Sequence, residues 1–158
     1  MPGAGKSFLG KRLANKLGYN FIDLDIEIEK VKGKSIKKLL EELGDKELLR
    51  LEETEAVKLK YIQKTIISPG GSIIYSKKAM ELLKENSIII FLNISLNEIK
   101  NRIKNLEQRG IVGLKEKGID NLYLERTKLY KHYADIEVNA QNLSRSLKTI
   151  IEKINSRP

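Results

Sequence analysis

No cysteine occurs among the 158 residues, so neither a disulfide nor a thiolate-bound metal can hold this chain together. No apolar run approaches the roughly 20 residues that a bilayer-spanning helix needs; the longest runs from Ile88 to Leu92. The opening residues lack the succession of basic, apolar and small residues that marks a signal peptide. Repeats and Pro/Gly/Ser-rich linkers are also missing, which leaves a single domain over residues 1–158. A cytoplasmic protein without a membrane partner is the expectation. Histidine is scarce as well. His132 is the sole example, it falls near a helix end, and no chemistry is assigned to it.

Lysine is abundant, and the formal net charge is +9. Such a balance suits nucleic-acid binding, because Lys and Arg displace phosphate counterions. Here the lysines are scattered (Lys30, Lys32, Lys34, Lys37, Lys38, then Lys58, Lys60, Lys64) with acids between them, and no aromatic-interleaved basic ribbon accompanies them. The excess is read as solvated helix faces and no nucleic-acid partner is expected. A basic field also draws anionic small molecules to a cleft.

Strands and helices alternate along the chain. Lys6–Lys16 reads as a helix and Asn20–Asp23 as a short strand ending in an acid. Asp25–Val31, Ser35–Leu43 and Asp45–Gln63 read as helices, with Ser35 as an N-cap and Gly44 between two of them. Thr65–Ser68 is a buried-type strand running into Pro69-Gly70-Gly71. A helix over Ser76–Glu85 precedes the strongest strand, Ser87–Asn93. Leu96–Leu106 is helical, the segment 108–118 is a glycine-punctuated loop, and Asn121–Tyr133 is a helix. Asp135–Asn139 and Ser144–Asn155 supply a last strand and helix. Short apolar strands separated by helices imply a parallel sheet covered on both faces, an α/β three-layer sandwich.

The first residues, Pro2-Gly3-Ala4-Gly5-Lys6-Ser7, match the end of the phosphate-binding loop Gly-x-x-x-x-Gly-Lys-Ser/Thr. Glycines allow successive amides to wrap a phosphate, and the helix that follows points its positive end at the same anion. Gly3, Ala4, Gly5, Lys6, Ser7 and Phe8 are therefore candidate ATP contacts. Lys6 would reach the outer phosphates and Ser7 would ligate Mg²⁺. The alternative, a glycine turn that merely caps a helix, fits poorly with the amphipathic helix starting at once (Phe8, Leu9, Leu13, Leu17). The motif's first glycine, and the strand that normally feeds it, would lie before Met1. Either residues ahead of Met1 supply them, or a five-stranded sheet lacks its first, central strand and shows an apolar gap there.

Phe21-Ile22-Asp23-Leu24-Asp25 places two carboxylates two residues apart at a strand end. Asp23 could hold Mg²⁺ through water, and Asp25 could orient or deprotonate an acceptor hydroxyl. Alternatively, Asp25 is simply the N-cap of the next helix.

With these motifs on the page, the chain resembles the shikimate kinase family over nearly its whole length. The resemblance rests on the phosphate loop, the Leu13–Gly18 stretch, Asp23-Leu24-Asp25, Ser35-Ile36 with Gly44-Asp45 and Glu52-Glu53, and Pro69-Gly70-Gly71. Arg109 and Glu125-Arg126 followed by Leu129-Tyr130 complete it. It implies an ATP- and Mg²⁺-dependent phosphotransferase acting on a small anionic hydroxylated substrate, and a monomer. It implies catalytic roles for Lys6, Asp25 and Arg109, the last in a lid over 108–118. It also implies Mg²⁺ at Ser7 and Asp23, and substrate contacts from Asp25, Gly70, Gly71 and Arg126. Three positions depart from the family. Leu49 stands where an arginine pairs with the substrate carboxylate, and Arg50 is the nearest replacement. Pro69 replaces a glycine, and Arg109 is followed by Gly110-Ile111 rather than Pro-Leu. Tyr61, Tyr75 and Tyr123 are read as packing residues. A kinase for another metabolite, a non-catalytic nucleotide binder and a nucleic-acid binder are the rival readings.

Overall fold

The computed structural model describes residues 1–156, apart from the side chains of Glu107 and Gln108. α1 (Lys6–Leu17) carries Leu9 and Leu13 on one buried stripe and stops at Gly18, whose φ of 66° is a left-handed cap. Gly10 of this helix lies against Phe21, since a Cβ there would sit 2.5 Å from the ring. β1 (Asn20–Asp23) then leads into α2 (Leu24–Lys32) and α3 (Ile36–Val57). Ser35 caps α3 through the Lys38 amide, as the sequence suggested.

β2 (Thr65–Ser68) pairs in parallel with β1, Phe21 opposite Ile66 and Asp23 opposite Ser68. After α4 (Lys77–Asn86), β3 (Ile90–Asn93) pairs in parallel with β4 (Ile136–Asn139). α5 (Leu96–Arg102) and α6 (Leu114–Tyr133) connect these two strands, and α7 (Leu143–Asn155) follows β4.

Apolar residues on the two sides of the strands form two cores. Ile66, Leu92 and Val138 join Leu9 and Leu13 of α1 and Ile150 of α7 on one side. Ile67 joins Leu24, Leu39, Leu48 and Met80 of α2, α3 and α4 on the other. The alternation of Ile66 and Ile67 is the period-two rule of a strand buried on both faces. Helices thus cover both faces, and the fold is the expected α/β sandwich.

Among the described residues there are four strands, in two pairs, and no ladder joins β2 to β3. Between them lies an apolar cavity of about 620 Å³, lined by Ile66 and Ile67 on one side, Phe91 and Leu92 on the other, and Met1 and Ala4 at one end.

Several boundaries differ from the sequence reading. α3 runs through Gly44 with one non-helical residue and ends at Val57 rather than 63, where a series of turns begins. Ile103, extended at φ −116°, stops α5 short of Leu106. α6 starts at Leu114, inside the expected loop, and is interrupted at Gly118 (φ 69°, ψ 164°). Tyr61 is not a packing residue: it is 81% exposed.

Candidate active site

Parallel strands gather their carboxyl ends on one side, which is where ligands bind in α/β sheets. Asp23 ends β1 and Ser68 ends β2, so the Asp23–Asp25 segment and the Pro69-Gly70-Gly71 loop emerge side by side. The turn of residues 2–5 lies next to them. Gly3 and Gly5 have φ of 72° and 87°, the left-handed region that L-residues occupy at a cost. Any side chain would also collide: a Cβ on Gly3 would lie 2.9 Å from Ile103, and one on Gly5 would lie 2.9 Å from Leu143. The loop is thereby wedged against Ile103, just past α5, and Leu143 of α7, with the open amides of α1 at its end.

One cavity of about 540 Å³ collects these parts. Lys6, Ser7, Phe8, Asp23, Asp25, Gly70, Gly71, Arg109 and Arg126 all line it, together with Pro2, Gly3 and Gly5. Two sequence candidates fall elsewhere. Ala4 is buried and turns into the apolar cavity instead. Arg50 is exposed and its Nη1 donates to Glu47 Oε1 at 2.6 Å on the solvent side of α3. One residue along a helix is a rotation of about 100°, which carries Arg50 away from the cavity while Leu49 packs into the core.

Ser7 Oγ donates to Asp23 Oδ2, so the two expected Mg²⁺ contacts are neighbours. Hard oxygens from one hydroxyl and one carboxylate suit a Mg²⁺ that takes its remaining ligands from phosphates and water. Asp23, not Asp25, is the N-cap residue of α2. Asp25 sits in the first turn, and its Oδ1 is buried with no hydrogen-bond partner. Burial raises its carboxyl pKa to about 6, against the opposing pull of Lys6. An orphaned buried acceptor facing a cavity is a group awaiting a donor. Burial likewise lowers the Lys6 ammonium below its ordinary range, with Asp25 and Asp23 working against the shift. Lys6 Nζ donates to the Met1 carbonyl at 3.4 Å.

Glu52, Ser72 and Arg126 line the same cavity, and of these Ser72 had no place in the sequence reading. Glu52, 2% exposed, accepts from Ser72 Oγ at 2.7 and 2.6 Å, which ties α3 to the glycine loop. Burial pushes the Glu52 carboxyl up to about 7, the Ser72 hydrogen bond acting against it. Arg126 is also 2% exposed; its Nη2 donates to the Val112 carbonyl at 2.8 Å and its Nε to Tyr75 Oη at 3.4 Å. Tyr75 is therefore more than a packing residue. No ion pair among the described residues includes Arg126. A buried guanidinium without a carboxylate is costly unless a ligand supplies one. Tyr130, stacked on Phe91, donates to the Gly71 carbonyl at 2.7 Å and steadies the same loop. At the phosphate end, Arg102 donates to the carbonyls of Gly3, Ala140 and Gln141. Arg109 ends a short 3₁₀ turn, exposed at the rim of the cavity. Glu52 belongs to a motif of the resemblance, but Ser72 lies 20 residues away in none, so only contact reveals the pair.

Comparison with known proteins adds an independent line. The family described as shikimate kinase matches residues 2–155. A shikimate kinase of Persephonella marina is 34% identical over 142 residues, covering 90% of this chain and 86% of that protein. One from Sulfurihydrogenibium sp. is 32% identical over 157 residues, covering 98% and 94%. Among solved structures, a shikimate kinase of Acinetobacter baumannii in complex with shikimate superposes with a TM-score of 0.88 at 26% identity, covering 98% of this chain and 88% of that one. The shikimate kinase of Aquifex aeolicus gives 0.86 at 28% identity, with coverage of 98% and 92%.

Proposed function

The chain belongs to the shikimate kinase family, and on that premise we propose that it transfers the γ-phosphoryl group of ATP to a hydroxyl of shikimate, giving shikimate 3-phosphate. The observation that carries the reading is the single cavity in which a phosphate loop, an unpartnered Asp25 oxygen and the buried Arg126 meet.

The division of labour follows from the chemistry of each group. The loop amides and the start of α1 receive the phosphates of ATP, and Lys6 stabilises charge on the transferring group. Asp25 accepts the proton side of the attacking hydroxyl and aims its oxygen along the line of transfer. Gly70 and Gly71 let the acceptor approach the backbone closely, and Arg126 receives its carboxylate. Arg109 supplies a second positive charge over the phosphates. Ser7 and Asp23 would hold Mg²⁺, whose part is to neutralise phosphate charge when it is bound with the nucleotide. Since little covalent work falls to the protein in phosphoryl transfer, positioning and fixed electrostatics supply the acceleration.

Arg50 pointing to solvent leaves Arg126 to hold the acceptor carboxylate without the second arginine of the family pattern. That observation favours one alternative, the same transfer to a different hydroxylated acid. A coupled ADP-release assay with Mg-ATP distinguishes the two. Strong stimulation by shikimate supports the proposal. Stimulation by another hydroxy acid and none by shikimate, with ATP bound, refutes it.

A further inference from the structure

The segment that roofs the acceptor side ends in a peptide unit gripped at both ends. Its carbonyl, from Val112, accepts from Arg126 Nη2 at 2.8 Å. Its N–H, from Gly113, donates to Asp45 Oδ2 at 3.0 Å. Both groups belong to one amide, so a guanidinium on α6 and a carboxylate on α3 are linked through a single polarised peptide. The polarity is favourable at each end, with a cation on the carbonyl oxygen and an anion on the N–H, and such chains reinforce each other. This link partly offsets the charge of Arg126, which has no carboxylate within ion-pair distance among the described residues.

The same segment meets α3 a second time. A Cβ on Gly110 would stand 2.7 Å from the Lys37 backbone, so the Arg109-Gly110 turn lies flat on the first turn of that helix. Gly44 separates the two contacts. Its φ of 77° and ψ of 171° break the helical spiral between Lys37 and Asp45 and re-aim the second half of α3. Open space surrounds Gly44, so its backbone angles and not its packing call for glycine there. The only hydrogen bond described for the Asp45 side chain goes to Gly113 rather than to its own helix.

We propose that Asp45 is a positioning residue: by anchoring the Val112–Gly113 peptide, it orients Arg126 toward the acceptor carboxylate. This rests on the reading of the cavity as an acceptor site for an anionic substrate. Asp45 itself does not line that cavity. It acts through the peptide.

The test compares wild type, Asp45→Ala and Asp45→Asn by steady-state kinetics and by hydrogen exchange of the Gly113 amide in ligand-free protein. Asp45→Ala is expected to raise KM for shikimate about tenfold, the size of losing one hydrogen bond to a charged group, with KM for ATP unchanged. Gly113 exchange should quicken about tenfold in the same variant. Asp45→Asn keeps an acceptor oxygen and should recover most of both effects. A purely structural role would instead raise both KM values together with a lowered melting temperature, and that result overturns the proposal. So does wild-type KM and wild-type Gly113 exchange in Asp45→Ala. Should Asp45→Ala fail to fold, an unprotected Gly113 amide in the wild type refutes the clasp. The exchange comparison needs no substrate, so it still decides the clasp if shikimate is not the acceptor.

Discussion

Gly70 offers a clean steric probe of the proposed acceptor site. It is buried, and its φ lies outside the left-handed range, so alanine can take its backbone conformation without strain. The added Cβ would stand 2.8 Å from both Asp25 Oδ1 and Glu52 Oε1, where ordinary contact begins at 3.4 Å. Both contacts must open by about 0.6 Å. Glu52 is held by two contacts to Ser72, so the loop is pressed toward Asp25, whose Oδ1 has no hydrogen bond to hold it and gives way more readily. A misplacement of about 1 Å in a reacting group costs on the order of a hundredfold in rate. A shift of 0.6 Å should then lower kcat/KM by roughly ten- to a hundredfold, and overpacking should cost about 1–3 kcal/mol in stability. Gly71→Ala meets Arg126 Nη1 and Tyr130 Oη at 3.1 Å, a milder contact on the carboxylate side. Its effect should be smaller and fall on KM for the acceptor. ADP-release kinetics on both variants, with thermal melts to confirm folding, measure this. A folded Gly70→Ala protein with wild-type kcat/KM refutes the reasoning, as does a larger loss in Gly71→Ala.

Glu52 makes stability depend on pH. Its pKa rises from 4.5 to about 7 on folding, so the folded state holds the proton more tightly than the unfolded one; the associated stability is full below pH 4.5 and is lost as pH climbs through 7. Glu52→Gln keeps an acceptor for Ser72 and removes that loss, about 3 kcal/mol at most. Its melting temperature should fall less than wild type between pH 5 and 8, Asp25 leaving a smaller slope; equal slopes count against the assignment. Arg50→Ala should leave shikimate KM and kcat within twofold of wild type, because the side chain faces Glu47 and solvent; a tenfold rise in KM shows that the arginine reaches the substrate after all.

Features written in adjacent residues were legible before the fold was known. The Gly3–Ser7 loop depends on backbone freedom and on the helix that starts beside it, so short-range order suffices to reveal it. The strands Asn20–Asp23 and Thr65–Ser68 match the structure residue for residue, since apolar runs bounded by turn residues are local signals. Asp23 ends a strand and Asp25 follows two residues later in the first turn of α2, so their common cleft could be inferred from that spacing.

Only the tertiary structure decided the rest, because the deciding quantity was which groups meet across long stretches of chain. Leu49 and Arg50 are adjacent in sequence, and the burial of one helix face turned the first inward and the second to solvent. Glu52 finds Ser72 across 20 residues, and Asp45 finds Gly113 across 68. No local pattern marks either pair; each exists because α3, bent at Gly44, is packed against the glycine loop at one end and the roof of the cavity at the other. The buried isolation of Arg126 is likewise a property of its surroundings and not of its neighbours in the chain.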